Sequence, residues 1–157
     1  MKLVREAKHK PATLLPPPLI YAMALFGAWW LDSKIPMALD LAAAAYLAWF
    51  LIALAGAGFV WSLWAVWGHR TTVNPYKAAT HLVTSGPYRY SRNPIYAFDW
   101  LVYIGVMLLM QSVWPLLFAP LVWGLMRYAV IAHEEAHLKA KFGAQYLVYR
   151  RRVRRWL

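Results

Sequence analysis

The chain contains no cysteine, so disulfides, thiolate nucleophiles and cysteine metal sites are excluded, although this says nothing about compartment. Acid is also scarce: six Asp and Glu face seventeen Lys and Arg, for a formal net charge of +11. Glu134-Glu135 is the only adjacent acidic pair. No internal repeat or low-complexity stretch is present, and 157 residues leave room for a single domain. A cleavable leader is missing as well. The N-terminal segment is charged and no small-residue cleavage site follows the first apolar run, so the first helix is expected to be retained.

What remains is largely apolar. Hydrophobic residues make up 62% of the chain, ten residues are tryptophan and the mean hydropathy is positive, which excludes an ordinary soluble domain and points to an all-α integral membrane protein. A helix needs roughly 20 residues to cross about 30 Å of hydrocarbon. On that measure the apolar stretches divide into about four transmembrane helices, near 17–31, 36–67, 95–110 and 114–132. The first follows Pro16-Pro17-Pro18, and proline is tolerated in a first helical turn, where the amides lack intrahelical partners anyway. The second is longer than a bilayer demands and is expected to tilt or project. The third and fourth share the connector Gln111-Ser112-Val113 and are expected to form a tight helical hairpin.

Basic residues stay on the cytoplasmic side of a membrane. Lys2, Arg5, Lys8 and Lys10 precede the first span, Arg70, Lys77, Arg89 and Arg92 lie between the second and third, and a basic tail follows the fourth. Only Lys34 falls in an outer loop. Both termini are therefore expected in the cytoplasm, and a prokaryotic inner membrane is the expected location. Trp29, Trp30, Trp61, Trp64, Trp67 and Trp114 suit an aromatic belt at the interfaces. His69 and Arg70 read as interfacial residues in the same way.

Residues 80–96, reading T-H-L-V-T-S-G-P-Y-R-Y-S-R-N-P-I-Y, are dense in hydrogen-bonding side chains, and the topology sets them on the same face as Glu134-Glu135. A polar ligand held at a membrane surface would use both. Past the acidic pair, Leu138, Phe142, Tyr146, Tyr149, Val153 and Trp156 recur at steps of three or four, which draws one apolar stripe along a helix. Lys139, Lys141, Arg150, Arg151, Arg152, Arg154 and Arg155 fill most of the rest. The pattern predicts an amphipathic C-terminal helix on the membrane surface, each basic residue contributing about 1 kcal/mol of attraction to anionic lipid. The membrane then accounts for the charge, and no nucleic-acid partner is expected.

The run L-V-T-S-G-P-Y, then R-N-P-I-Y, then Glu134-Glu135 and F-G-A-Q-Y-L-V-Y-R-R-R-V closely resembles the isoprenylcysteine carboxyl methyltransferase family and its phospholipid methyltransferase relatives. The likeness covers roughly the C-terminal half, from Thr71 onward. It implies a small helical membrane enzyme that binds S-adenosylmethionine at the cytoplasmic face, through segments near 72–96 and 134–155, and methylates a lipophilic or lipidated acceptor entering from the bilayer. By the same resemblance Thr80, His81, Leu82 and Val83 would line the cofactor largely through backbone groups. Gly86 would turn the chain with Pro87 so that Tyr88 faces inward. Arg92, Asn93, Pro94 and Tyr96 match the family's Arg-His-Pro-x-Tyr element. Glu135, with Glu134, matches the acidic pair that would hold the ammonium or ribose. Such a ligand carries an ammonium, a carboxylate, a ribose, an adenine and a sulfonium, and the two segments offer carboxylates, donors and aromatic walls for them.

The departures concern the acceptor. Asn93 stands where the isoprenylcysteine enzymes have His, and asparagine cannot titrate, so no general base sits there. Phe98 stands where they usually have Gly. Their Arg, about one turn before the second Glu, is replaced by the stretch Val130-Ile131-Ala132-His133, with Arg127 the nearest arginine. An anionic acceptor needs no base, whereas an amine or hydroxyl does, and His133, His81 or one of the glutamates are the candidates. Arg127 and His133 are the catalytic candidates on this reading. Asp99 and Arg127 fall near the same depth, so an ion pair between them competes with a substrate role for Arg127. Tyr88 and Tyr96 have a packing alternative.

Three other readings remain. His133-Glu134-Glu135-Ala136-His137 fits H-E-x-x-H, which on a helix sets two histidines on one face for zinc with a glutamate as base. A third ligand would have to come from His81, Asp99 or another carboxylate, whereas the methyltransferase reading needs no metal and also accounts for the flanking residues. Membrane sterol reductases that bind NADPH look similar in their C-terminal halves. A non-enzymatic membrane protein is the last.

Overall fold

The computed structural model describes residues 16–40, 42–68 and 81–156. The N-terminal basic residues, His69, Arg70, Lys77, Thr80 and the rest of 69–80 lie outside that set. The described residues are helical almost throughout. Helix α1 is Pro17–Lys34, a short 3₁₀ turn at Ala42–Ala44 leads into α2, Ala45–Gly68, and α3 is Pro94–Met110. Helix α4, Trp114–Leu125, runs through a π-helical stretch, Met126–Ile131, directly into α5, Ala132–Phe142, and α6 is Ala144–Arg152.

The expected second span is shortened at its start. Residues 36–40 are not helical: Met37 and Leu39 exchange backbone hydrogen bonds with Val113 and Gln111, at 2.9 and 2.7 Å. Pro36 supplies no amide hydrogen, and the backbone of 37–39 finds its partners across the connector. The fourth span is lengthened, because nothing stops the helix at residue 132. Ala45–Gly68 and Trp114–Phe142, 24 and 29 residues long, are each long and apolar enough to cross a membrane, and Pro94–Met110 is apolar but shorter.

The packing differs from a simple hairpin of α3 and α4. Helix α3 lies mainly against α2, and α4 lies mainly against α1, with α1 also touching α3. The α2–α3 contact is close because glycines open it. A side chain at Gly58 would collide with the Phe98 ring, and one at Gly105 would meet Ile52 at 2.7 Å and the Ala48 carbonyl at 2.9 Å. Phe98, which replaces the expected glycine, is thus matched by a glycine on the facing helix. Between α1, α3 and α4 a buried cluster of Tyr21, Tyr96, Tyr103, Val122, Met126, Val130 and Ile131 forms the core. Tyr21 meets the Trp100 ring edge-on at 5.6 Å, and Tyr103 donates to the Pro115 carbonyl at 2.6 Å. Many large apolar side chains face outward, Trp49, Trp64 and Trp67 of α2 among them. That distribution suits lipid and would be costly in water.

Candidate active site

The polar end of the bundle is assembled from residues 81–93, the start of α3, α5, α6 and the last described residues. Gly86 has φ +58°, and a Cβ there would sit 3.0 Å from Ala65 Cβ and 3.4 Å from Trp61 Nε1, so the left-handed turn and the close approach to α2 both call for glycine. The 3₁₀ turn Gly86–Arg89 follows, and the buried Pro87 gives its carbonyl to the amides of Tyr90 and Ser91. This turn delivers Tyr88 inward. Burial, reinforced by the Glu134 carboxylate, pushes the Tyr88 phenol above its usual range, so it stays a hydrogen-bond donor.

The chain end folds back onto this segment. Arg92 donates its amide to the Arg154 carbonyl at 2.9 Å, and Ser91 and Arg154 pair as an isolated parallel bridge. Ser91 Oγ and Asn93 Nδ2 both donate to the Arg155 carbonyl at 3.1 Å. Tyr149 Oη donates to the Tyr88 carbonyl at 2.7 Å. Asn93, buried ahead of α3, therefore uses its amide to hold the C-terminal strap.

The two glutamates are in different electrostatic states. Glu135 accepts a bidentate pair from Arg155, Nε at 3.0 Å and a terminal nitrogen at 2.7 Å, and Arg92 reaches it at 3.1 Å. The side chains of Glu135, Arg92 and Arg155 are 11%, 9% and 25% exposed. Arg92 also donates to Tyr146 Oη at 3.2 Å, which ties α6 into the clamp. Glu134 instead accepts one hydrogen bond, from Tyr96 Oη at 2.8 Å. The ion pairs found among the described residues all go to Glu135. One carboxylate is neutralised by two guanidiniums and the adjacent one faces phenols alone.

Of the site residues expected from sequence, Gly86, Tyr88, Arg92, Asn93, Pro94, Tyr96, Glu134 and Glu135 come together here. Leu82 is half-buried and Val83 buried on the way in, His81 is exposed, and Thr80 lies outside the described residues. Arg127 and His133 do not join. His133 is exposed, and the Arg127 guanidinium stacks 5.0 Å from the Trp123 ring and 5.6 Å from the Tyr128 ring. The Asp99–Arg127 ion pair does not form: Asp99 lies on the buried stripe of α3 with Tyr96 and Tyr103, and its Oδ2 has no hydrogen-bond partner. Among the described residues no three His, Asp or Glu gather as a metal site would require, so the H-E-x-x-H pair lacks a third ligand.

Sequence reasoning missed Ser91, Tyr146, Tyr149 and Arg155. The stripe containing Tyr146 and Tyr149 was visible, but its partner was not lipid. Gly143, at φ +50°, breaks the continuous helix into α5 and α6, and both tyrosines are buried against 88–93. The single C-terminal amphipathic helix is corrected to this broken, folded-back form.

An apolar helical bundle with outward tryptophans and a buried polar clamp at one end is the architecture of a membrane protein with a site at the membrane's edge. The chain belongs to the phospholipid methyltransferase family, whose sequence model matches residues 43–145. Membership makes it a membrane methyltransferase with a lipid-like substrate. No curated protein and no solved structure matches the chain.

Proposed function

We propose that this protein transfers a methyl group from S-adenosylmethionine to a lipid acceptor at the cytoplasmic face of the membrane, crossing the bilayer about four times with both termini inside. The observation that carries this reading is Glu134, a carboxylate held by Tyr96 and given no cation by the chain. Its environment suits a ligand that brings positive charge, and an ammonium or sulfonium does so. The donor set fits such a ligand, with the Tyr88 and Tyr96 phenols, the extended backbone at 82–85 and the Trp61 and Tyr90 rings, 6.4 Å apart, at the rim. When bound, S-adenosylmethionine supplies an electrophilic methyl group. The chain's own residues hold the cation (Glu134), fix that carboxylate's direction (Tyr96), and exclude water by pinning the C-terminal strap (Ser91, Asn93, Arg92 and Glu135). Glu135 acts in this scheme as the anchor of the strap.

The exposed Lys139, Lys141, Arg150, Arg151, Arg152 and Arg154 surround the site and suit contact with an anionic leaflet. Calorimetric titration of the protein in lipid nanodiscs tests the cofactor: heat with S-adenosylmethionine, and none with NADPH, is expected. The reverse result would overturn the proposal in favour of a reductase. The absence of cysteine makes topology equally testable, since a single introduced cysteine is the only thiol. In inside-out vesicles Ser85→Cys should react with an impermeant maleimide and Met37→Cys should not; equal labelling refutes the orientation.

A further inference from the structure

A cleft of about 420 Å³ opens beside the polar end, lined by Ala97, Trp100, Trp123 and Trp156. Its walls are contiguous with the site. Ala97 directly follows Tyr96, which holds Glu134, and Trp156 directly follows Arg155, which holds Glu135. The folded-back strap thus closes the polar site with one residue and walls the cleft with the next. The lining is apolar and aromatic, as a hydrocarbon chain requires.

One charge stands at this cleft. Arg127 stacks on the ring of Trp123, 5.0 Å from its centroid, and enters neither of the ion pairs found among the described residues. An arginine in an apolar helix is costly unless it meets a partner or reaches the interface. Stacking uses the flat face of the guanidinium and leaves its N–H edge free for a planar or tetrahedral anion. The geometry points to a membrane lipid with an anionic headgroup as the occupant, its chain along Trp100, Trp123 and Trp156 and its phosphate or carboxylate on Arg127. Arg127 is then the residue that selects the acceptor, two helical turns before Glu135 rather than one, and on the side of the cleft away from the strap. This rests on the methyltransferase reading, and it deepens it by naming what the acceptor must carry.

Native mass spectrometry of the detergent-solubilised protein with three probes, dioleoylphosphatidylglycerol, oleate and dioleoylglycerol, tests it. The wild type should retain one of the anionic probes at least about 10-fold more tightly than dioleoylglycerol, as a charge-assisted hydrogen bond would give. Preference for phosphatidylglycerol assigns the anion as phosphate, and preference for oleate as carboxylate. Arg127→Gln should abolish the preference, and Arg127→Lys, which keeps charge but loses the fork, should restore part of it. Trp123→Leu should weaken all three probes. Equal binding of anionic and neutral probes by the wild type, or a preference that survives Arg127→Gln, overturns the assignment. Titration of Arg127→Gln with S-adenosylmethionine separates this from the cofactor reading, because its cofactor affinity should equal that of the wild type.

Discussion

The two ends of the bundle are each closed around an acidic side chain, and they are closed differently. At the end formed by the 34–45 and 110–114 connections, Asp32 Oδ1 accepts from Ser112 Oγ at 2.7 Å and from the Met37 amide at 3.2 Å, and Trp114 Nε1 donates to the Ile35 carbonyl at 2.9 Å. The donors to Asp32 are neutral, and the carboxylate is left partly exposed. At the other end Glu135 takes three hydrogen bonds or ion contacts from two guanidiniums, and its immediate neighbour Glu134 takes one from a phenol. A lone carboxylate near water can close a loop with neutral donors. Two adjacent carboxylates in a half-buried place repel one another, and full neutralisation of one lets the other stay available to a cationic ligand.

The largest effect expected from breaking this contrast is in the charged clamp. Arg92→Ala removes one guanidinium from a carboxylate that is 11% exposed. Breaking a buried ion pair costs about 3–5 kcal/mol, and the variant should show a large fall in thermal midpoint in detergent. A change within measurement error would show the clamp to be decorative. Next comes Glu134→Gln, which keeps the shape and loses the charge. Cofactor affinity should fall by about 1.5–3 kcal/mol, or roughly 10- to 100-fold by calorimetry, while the thermal midpoint barely moves. If stability falls and affinity does not, the two glutamates have exchanged roles.

A smaller effect tests the turn that delivers Tyr88. Gly86→Ala places an L-residue at φ +58° with its Cβ 3.0 Å from Ala65. A left-handed residue costs about 1–2 kcal/mol, and denaturation should read that loss. No loss would mean that α2 yields easily at Ala65. The smallest effect belongs to the opposite end. Asp32→Asn leaves an acceptor for Ser112 and Met37 and should cost under about 1 kcal/mol, because no cation loses its partner. A fall as large as that of Arg92→Ala would erase the distinction between the ends.

Much of the fold could be read from the residues. The third helix, at Pro94–Met110, begins within a residue of its expected start, because Pro94 follows a polar run and occupies a first turn where its missing amide hydrogen is harmless. The pairing of 80–96 with the acidic pair was legible from hydropathy alone, since only those stretches are polar enough to leave the hydrocarbon. The start of the second helix was not, because residues 36–40 are apolar enough for a span and are pulled out of helix by a backbone pairing with 111–113. The fate of the C-terminal stripe was hidden for a similar reason. Its period announces a buried face but not what buries it, and tyrosines serve lipid interfaces and protein cores alike.

The sequence by itself determined that the chain is helical, membrane-seated and polar at one end, because hydropathy and charge are summed over stretches of residues and need no partner to be read. It also placed eight of the site residues in two segments of one face. Only the tertiary structure decided between Glu134 and Glu135, took Arg155 from the basic tail into the clamp, and separated Arg127 from Asp99. Those outcomes depend on which side chains lie within about 3 Å of one another, where hydrogen bonds and ion pairs act, and residues far apart in the chain meet at that range only after the helices have packed.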